Sequence, residues 1–212
     1  MLVQSQVGPI ATNQSITPGT QVPQRSGQLG DVIVSELQPR FYEQNYRRNI
    51  FTVATSAGQT TSAALTTTYV GLVLENPIGS TVNLVILKCG YSVLVAPASG
   101  AEIGLMCGYS STTNCAHTAT ASPISALYGV GPASQAKADT GSTTLSATPV
   151  VTHIFGSATT GNINTQLISS ATQVDIDGAL ILPPGAFCAF YTLVATGSSG
   201  FWGSFTWEAV PV

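Results

Sequence analysis

The side chains that could do chemistry in this chain are two histidines, a handful of carboxylates, four cysteines and Lys88. His117 and His153 belong to no His-x-x-x-His or comparable ligand spacing, so neither predicts a metal centre. A lone histidine of this kind is expected at the surface or hydrogen-bonded in a core. Asp175 and Asp177, in Asp-Ile-Asp-Gly, lie two apart on an expected strand, and both carboxylates would project from one face. Such a pair could hold a hard cation or serve as a glycosidase pair. The further oxygen ligands and closing Glu of a calcium loop are missing, however, and glycosidase carboxylates must straddle a substrate roughly 5 Å or more apart. The pair is therefore read as a solvated strand face. Lys88, within an apolar run, is read as an edge lysine whose ammonium reaches solvent.

No Gly-x-Ser-x-Gly elbow and no Gly-x-x-x-x-Gly-Lys loop occurs. Gly129-Val-Gly131-Pro-Ala-Ser134 opens like a dinucleotide fingerprint but lacks its third glycine and a βαβ setting. No catalytic residue, cofactor or metal site is expected, and the chain is read as a non-enzyme. Cys89 and Cys188 lie in apolar strand patterns, where a thiol behaves as a small buried hydrophobe. With Cys107 and Cys115 they are expected to be free thiols, a Cys107 to Cys115 bridge being the alternative.

The elements that must carry these groups are β-strands. From Ile50 onward Thr, Val and aromatic residues recur between Gly, Pro and Asn breakers, and no stretch keeps a 3.6-residue period for three turns. Strands are expected near 50–55, 64–75, 81–89, 91–96, 102–109, 148–155, 173–182, 186–195 and 201–210. In the last, Phe201, Phe205, Trp207 and Ala209 alternate with Ser204, Thr206 and Glu208, the period of a half-buried strand. Val82 to Cys89 is apolar on both sides and expected to be central in its sheet. Pro184 and Gly185 are placed for a type II turn, making a hairpin or a tight corner. Two low-complexity stretches, about 118–147 and 156–172, are expected to be long loops that make contacts. Many strands, Pro/Gly turns and no helices to cover a parallel sheet predict an all-β fold, an antiparallel β sandwich of jelly-roll type.

Residues 1–49 are expected to form an extended N-terminal arm, rich in Gln, Ser, Thr, Pro and Gly up to residue 35, ahead of a β-sandwich domain over 50–212. Arg25, Asp31, Glu36, Arg40, Glu43, Arg47 and Arg48 concentrate nearly half of the chain's charged residues there. Pro39, and Glu43 spaced four residues from Arg47, predict a short helix over 39–48, with a solvated polar turn as the alternative. Arg40, Phe41, Tyr42, Tyr46, Arg47 and Arg48 combine the Arg and Tyr types enriched at contact hot spots and are the candidate assembly residues.

Only 7% of the 212 residues are charged, against about 25% in an average soluble protein. A neutral surface of Thr, Ser, Asn and Gln suits permanent contact with neighbouring subunits or exposure outside a cell. Six basic residues and a net charge of -3 give no reason to expect nucleic-acid binding, which needs cations for phosphates. The opening Met-Leu-Val-Gln-Ser-Gln lacks the pattern of a secretory signal and no run is long and pure enough to span a bilayer, so no membrane partner is expected.

Leu37-Gln-Pro-Arg-Phe-Tyr-Glu-Gln-Asn-Tyr-Arg-Arg-Asn-Ile-Phe51, Asn76-Pro-Ile-Gly-Ser-Thr-Val-Asn-Leu-Val85, Leu182-Pro-Pro-Gly-Ala-Phe187 and the ending Gly203-Ser-Phe-Thr-Trp-Glu-Ala-Val-Pro-Val212 resemble small virion proteins of tailed bacteriophages, loosely over residues 36–212. The resemblance implies a jelly-roll-like capsid decoration (cement) protein. Its partners would be the major capsid protein or other virion proteins and further copies of itself, a trimer being favoured. Its place would be the virion, assembled in the host cytoplasm. A tail, neck or fibre component that binds a host surface or carbohydrate through the loops around 118–147 is the alternative.

Overall fold

The computed structural model describes residues 5–6, 24–25, 39–61, 64–95, 97, 99–128, 133–158, 172–196 and 200–212. The chain separates into two compact units, Met1–Tyr42 and Glu43–Val212. In the first, β1 (Ser5–Gln6) and β2 (Gln24–Arg25) pair in parallel; the remainder of the expected arm through residue 38 lies outside the described residues. The single helix among the described residues, α1 (Tyr42–Tyr46), is shorter than the span expected over 39–48. None of the described helices is long and apolar enough to cross a membrane.

The second unit is built of strands. In chain order they are β3 (Ile50–Ala54), β4 (Thr68–Val70), β5 (Val73–Glu75), β6 (Val82–Val93), β7 (Ala101–Tyr109), β8 (Ala116–His117), β9 (Thr120–Ala121), β10 (Ile124–Ser125), β11 (Lys137–Asp139), β12 (Ser142–Thr144), β13 (Val150–Ala158), β14 (Thr172–Leu182), β15 (Ala186–Thr192) and β16 (Phe201–Pro211). Gly90, expected to separate two strands, lies inside the unbroken β6. Gly71, with φ 125°, divides the strand expected over 64–75 into β4 and β5. The stretch expected as a loop over 118–147 contains the short strands β9 to β12.

Eight of these strands set the architecture. One sheet has the order β3-β16-β6-β14, with β10 beside β3; the other runs β13-β7-β15-β5, continued by β11 and β9. Counting only those eight along the chain, the first pairs with the eighth (β3 with β16), the second with the seventh (β5 with β15), the third with the sixth (β6 with β14) and the fourth with the fifth (β7 with β13), all antiparallel. This is one long antiparallel ribbon wrapped on itself into two facing sheets, a jelly roll.

Alternation places the core between the sheets. Leu84, Ile86, Cys89, Phe201, Phe205 and Trp207 of one sheet meet Leu74, Leu105, Cys188 and Phe190 of the other. Phe190 stacks on Phe205 at 4.8 Å between ring centroids and tilts against Phe201 at 5.2 Å, within the range of favourable aromatic pairs. As expected, β6 is central, flanked by β16 and β14.

β15 is buried at every position because its outer side is covered as well. A third sheet, ordered β4-β12-β8, lies there, and Tyr69, Leu145 and Cys115 pack with Val73, Met106, Phe187, Ala189 and Tyr191. The Tyr69 hydroxyl donates to the Phe190 carbonyl at 2.9 Å, tying this layer to the sandwich.

The Pro-Pro-Gly segment makes a corner. Ala186 N–H donates to Pro183 O at 3.0 Å and Gly185 has φ 91°, the left-handed residue that a type II turn requires, while β14 and β15 belong to different sheets. Buried Asn76 braces the corner, its side-chain amide donating to Val82 O at 2.7 Å and Leu182 O at 2.9 Å.

Phe190→Ala is expected to lower unfolding free energy by about 3–5 kcal/mol through lost burial and a residual cavity. Val150→Ala, at a position 62% exposed, is expected to change it by less than about 0.5 kcal/mol. Urea denaturation of both variants checks the pair.

Candidate functional site

The segment carrying the candidate assembly residues exposes all of them but Phe41, which is half-buried. In the first unit the Arg40 guanidinium carbon lies 5.2 Å from the Phe41 ring centroid, a cation–π arrangement, and Tyr42 is exposed. In the second unit Tyr46, Arg47 and Arg48 are exposed. The expected Glu43 to Arg47 side-chain pairing lies outside the described residues.

The end of α1 explains why the helix is short. Arg48 N–H donates to Asn45 O at 2.9 Å and Asn49 N–H to Gln44 O at 3.0 Å, the two bonds of a Schellman cap. Arg48, with φ 65°, occupies the left-handed position that glycine usually takes. That backbone costs an L-residue roughly 1–2 kcal/mol, and strained residues of this kind concentrate at functional sites.

A buried polar cluster sits elsewhere in the second unit. Glu75 and Asp139 are fully buried. Glu75 Oε1 accepts from Cys115 N–H at 2.6 Å, and Oε2 lies 2.8 Å from His117 Nε2. Asp139 Oδ2 accepts from the N–H groups of Thr118 and Ala119 at 2.7 and 2.8 Å, and Oδ1 from Gly141 N–H at 2.7 Å. His117 Nδ1 is 3.8 Å from Asp139 Oδ2. The imidazole is hydrogen-bonded to Glu75 and only lies near Asp139, its buried Nδ1 having no hydrogen-bond partner; backbone donors to the two carboxylates pin residues 115–119 against β5 and β11. His117 is therefore a core histidine hydrogen-bonded through one nitrogen only, and its neighbours Glu75 and Asp139 carry no signal in the sequence because they are distant along the chain. The adjacent thiol is not activated: burial, then the Glu75 charge, push Cys115 up to about 11. Among the described residues no group of three or more His, Cys, Asp or Glu side chains could hold a metal ion.

The cysteines are free thiols. Cys107 and Cys188 stand directly opposite each other on β7 and β15. The hydrogen bond from Cys188, with a further one to Thr152, lowers the half-buried Cys107 thiol below its usual value. Burial pushes Cys89 up to about 12 and Cys188 well above the usual range.

The acidic pair on β14 is also taken apart. Asp175 Oδ1 lies 3.0 Å from Lys88 Nζ. Asp177 sits in a left-handed conformation, φ 51°, ahead of Gly178, φ 83°, where the β14–β6 register shifts. Lys88 is correspondingly not on an edge: it belongs to β6, between β16 and β14, and faces outward to its carboxylate.

On that same outer face lies a cleft of about 400 Å³ with no charged residue in its lining. Its floor is one cross-strand row through four strands: Ala54 on β3, Ser204 on β16, Gly90 on β6 and Gln173 on β14, each in register with the next. The space above Gly90 is taken by Ser204, whose Oγ would stand 2.6 Å from a Cβ there and would have to turn aside for a larger residue. Trp202 and Ser92, directly paired, form the row on one side, and the Lys88 and Asp175 row lies on the other. A row of small residues beside a tryptophan makes the trough. The Trp202 indole Nε1 is shielded and has no hydrogen-bond partner, an omission costing roughly 1–3 kcal/mol for a buried donor. The residues of this trough were not singled out from sequence, although Gly90 and Ser92 in one strand and Trp202 and Ser204 in another do break the β-branched habit of outward positions.

No family model, no curated protein and no solved structure matches the chain.

His117→Ala leaves a fully buried Glu75 oxygen without its partner and is expected to destabilise the protein by about 3–5 kcal/mol. Lys88→Ala, at a partly exposed pair, is expected to cost under about 1 kcal/mol; chemical denaturation distinguishes the two. Because the thiolate is the reactive form, iodoacetamide at mildly alkaline pH is expected to label Cys107 ahead of Cys89, Cys115 and Cys188, read by peptide mass spectrometry.

Proposed function

We propose that this chain is a non-enzymatic structural protein of a tailed-bacteriophage particle, a capsid decoration protein that holds to the head through its N-terminal segment and β body. The observation that carries the reading is the complete pairing of eight strands, first with eighth through fourth with fifth, since jelly rolls of this kind recur in viral capsid proteins. Fold alone assigns no function. The exposed Tyr and Arg side chains of residues 40–48 add a chemistry suited to protein contact, and Arg48 holds a strained backbone where glycine would relax it. The partners are the major capsid protein or neighbouring virion proteins, with self-association as a trimer.

A second reading, a tail, neck or fibre component that binds carbohydrate at a host surface, is favoured by the uncharged cleft at Trp202.

Full-length protein carrying Tyr46→Ala and Arg47→Ala is expected to bind decoration-free heads at least about tenfold more weakly while unfolding at the same urea concentration. Arg48→Gly is expected to preserve or raise stability by about 1 kcal/mol and to weaken head binding. Cosedimentation with purified heads reads both; wild-type binding by all variants, and by a chain lacking residues 1–48, rejects the assembly role of the segment.

A further inference from the structure

Beside the Lys88–Asp175 ion pair and the Thr52–Thr206 contact, the outer face of the β3-β16-β6-β14 sheet carries a trough of uncharged side chains. On β16 and β6, along the middle of the trough, the backbone N–H and C=O groups are engaged in the ladders on both sides, so a ligand there meets side chains. Ser204, Ser92 and Gln173 supply hydroxyls and an amide, each able to donate and accept. Trp202 supplies an aromatic plane whose negative face attracts weakly positive C–H groups.

Three ligand classes can be compared against that lining. An anion would find no cation in the cleft. A hydrocarbon would leave several hydroxyls and an amide unpaired, a costly burial. A peptide strand binds by extending an open sheet edge, whereas this trough crosses four strands on a closed face. A neutral polyhydroxylated ring matches all of it: hydroxyls for the hydroxyl and amide groups, and a C–H face for the indole. The volume, about 400 Å³, lies within the range of small-molecule sites.

We propose that the trough between Trp202 and the Ala54–Ser204–Gly90–Gln173 row is a binding site for a short neutral saccharide. It places carbohydrate recognition on the sheet face, with no residue of 118–147 in the lining, and it holds whether the protein sits on the head or the tail.

The test uses the full chain on an array of neutral gluco-, manno-, galacto- and N-acetylglucosamine oligosaccharides with sialylated and sulfated counterparts, followed by calorimetry on the best neutral glycan. Wild type is expected to select neutral glycans. Trp202→Ala and Gln173→Ala are expected to weaken binding at least about tenfold, and Trp202→Phe, which keeps a ring, to weaken it less than Trp202→Ala. Ala54→Tyr fills the trough from an exposed position, so it is expected to abolish binding with an unchanged unfolding midpoint and unchanged attachment to heads. The proposal is overturned by the absence of neutral-glycan binding, by a preference for the anionic glycans, or by wild-type affinity in the Ala54→Tyr protein. Loss of head attachment in the Tyr46 and Arg47 variant bears only on the decoration role.

Discussion

The ring of Phe190 reaches from one sheet to within 4.8 and 5.2 Å of Phe205 and Phe201 on the other, and the facing sheets are held by burial around that contact. In a chain with so few charges there is little else to do it. Each large side chain taken fully out of water contributes roughly 1.5–3 kcal/mol, and the fully buried set includes Trp207, Phe187, Phe190, Phe201 and Phe205. Phe190 also marks the meeting of the layers: its ring faces the sandwich core while its carbonyl accepts from Tyr69 of the third sheet. A two-layer sandwich with a covered back results, and the covering explains why β15 carries no polar face.

Much of this was legible because alternation is a local signal. The Phe201, Phe205, Trp207 pattern announced a half-buried strand, and Val82–Cys89 announced a central one; both follow from side chains pointing to opposite faces at every step. Glycine misled in both directions. Gly90 has the look of a break yet sits mid-strand, with the space above it filled by Ser204 from the next strand. Gly71 leaves the strand pattern around it uninterrupted, yet its positive φ splits β4 from β5. The strands β8 to β12 are two or three residues long, too short to leave a period in the sequence.

The sites were less legible than the fold, for a physical reason. The Arg- and Tyr-rich stretch stands out by composition, which needs no tertiary knowledge. The Glu75–His117–Asp139 cluster exists only because β5, β8 and β11 are brought together, and the Trp202 trough only because four strands fall into one register. Neither has a motif, since each is assembled from segments far apart along the chain. The protein also uses its scarce charge in two ways: two acids are buried against a histidine and backbone donors, while the Lys88–Asp175 pair remains at the surface.

The nesting of first strand with last bears on how such a chain comes to be folded. Thr52 meets Thr206 across β3 and β16, 154 residues apart, and β6 awaits β16 on one side and β14 on the other. Contacts this remote make folding slow relative to chains dominated by neighbouring contacts. During synthesis, β3 and β6 emerge long before the strand that lies between them. Their edges and the apolar residues meant for the core stay uncovered until Phe201–Pro211 arrives, the interval in which strand edges invite aggregation. The last strand therefore acts as the closing piece of the sheet, and the timing of its delivery, as much as the strength of its contacts, governs the yield of folded protein.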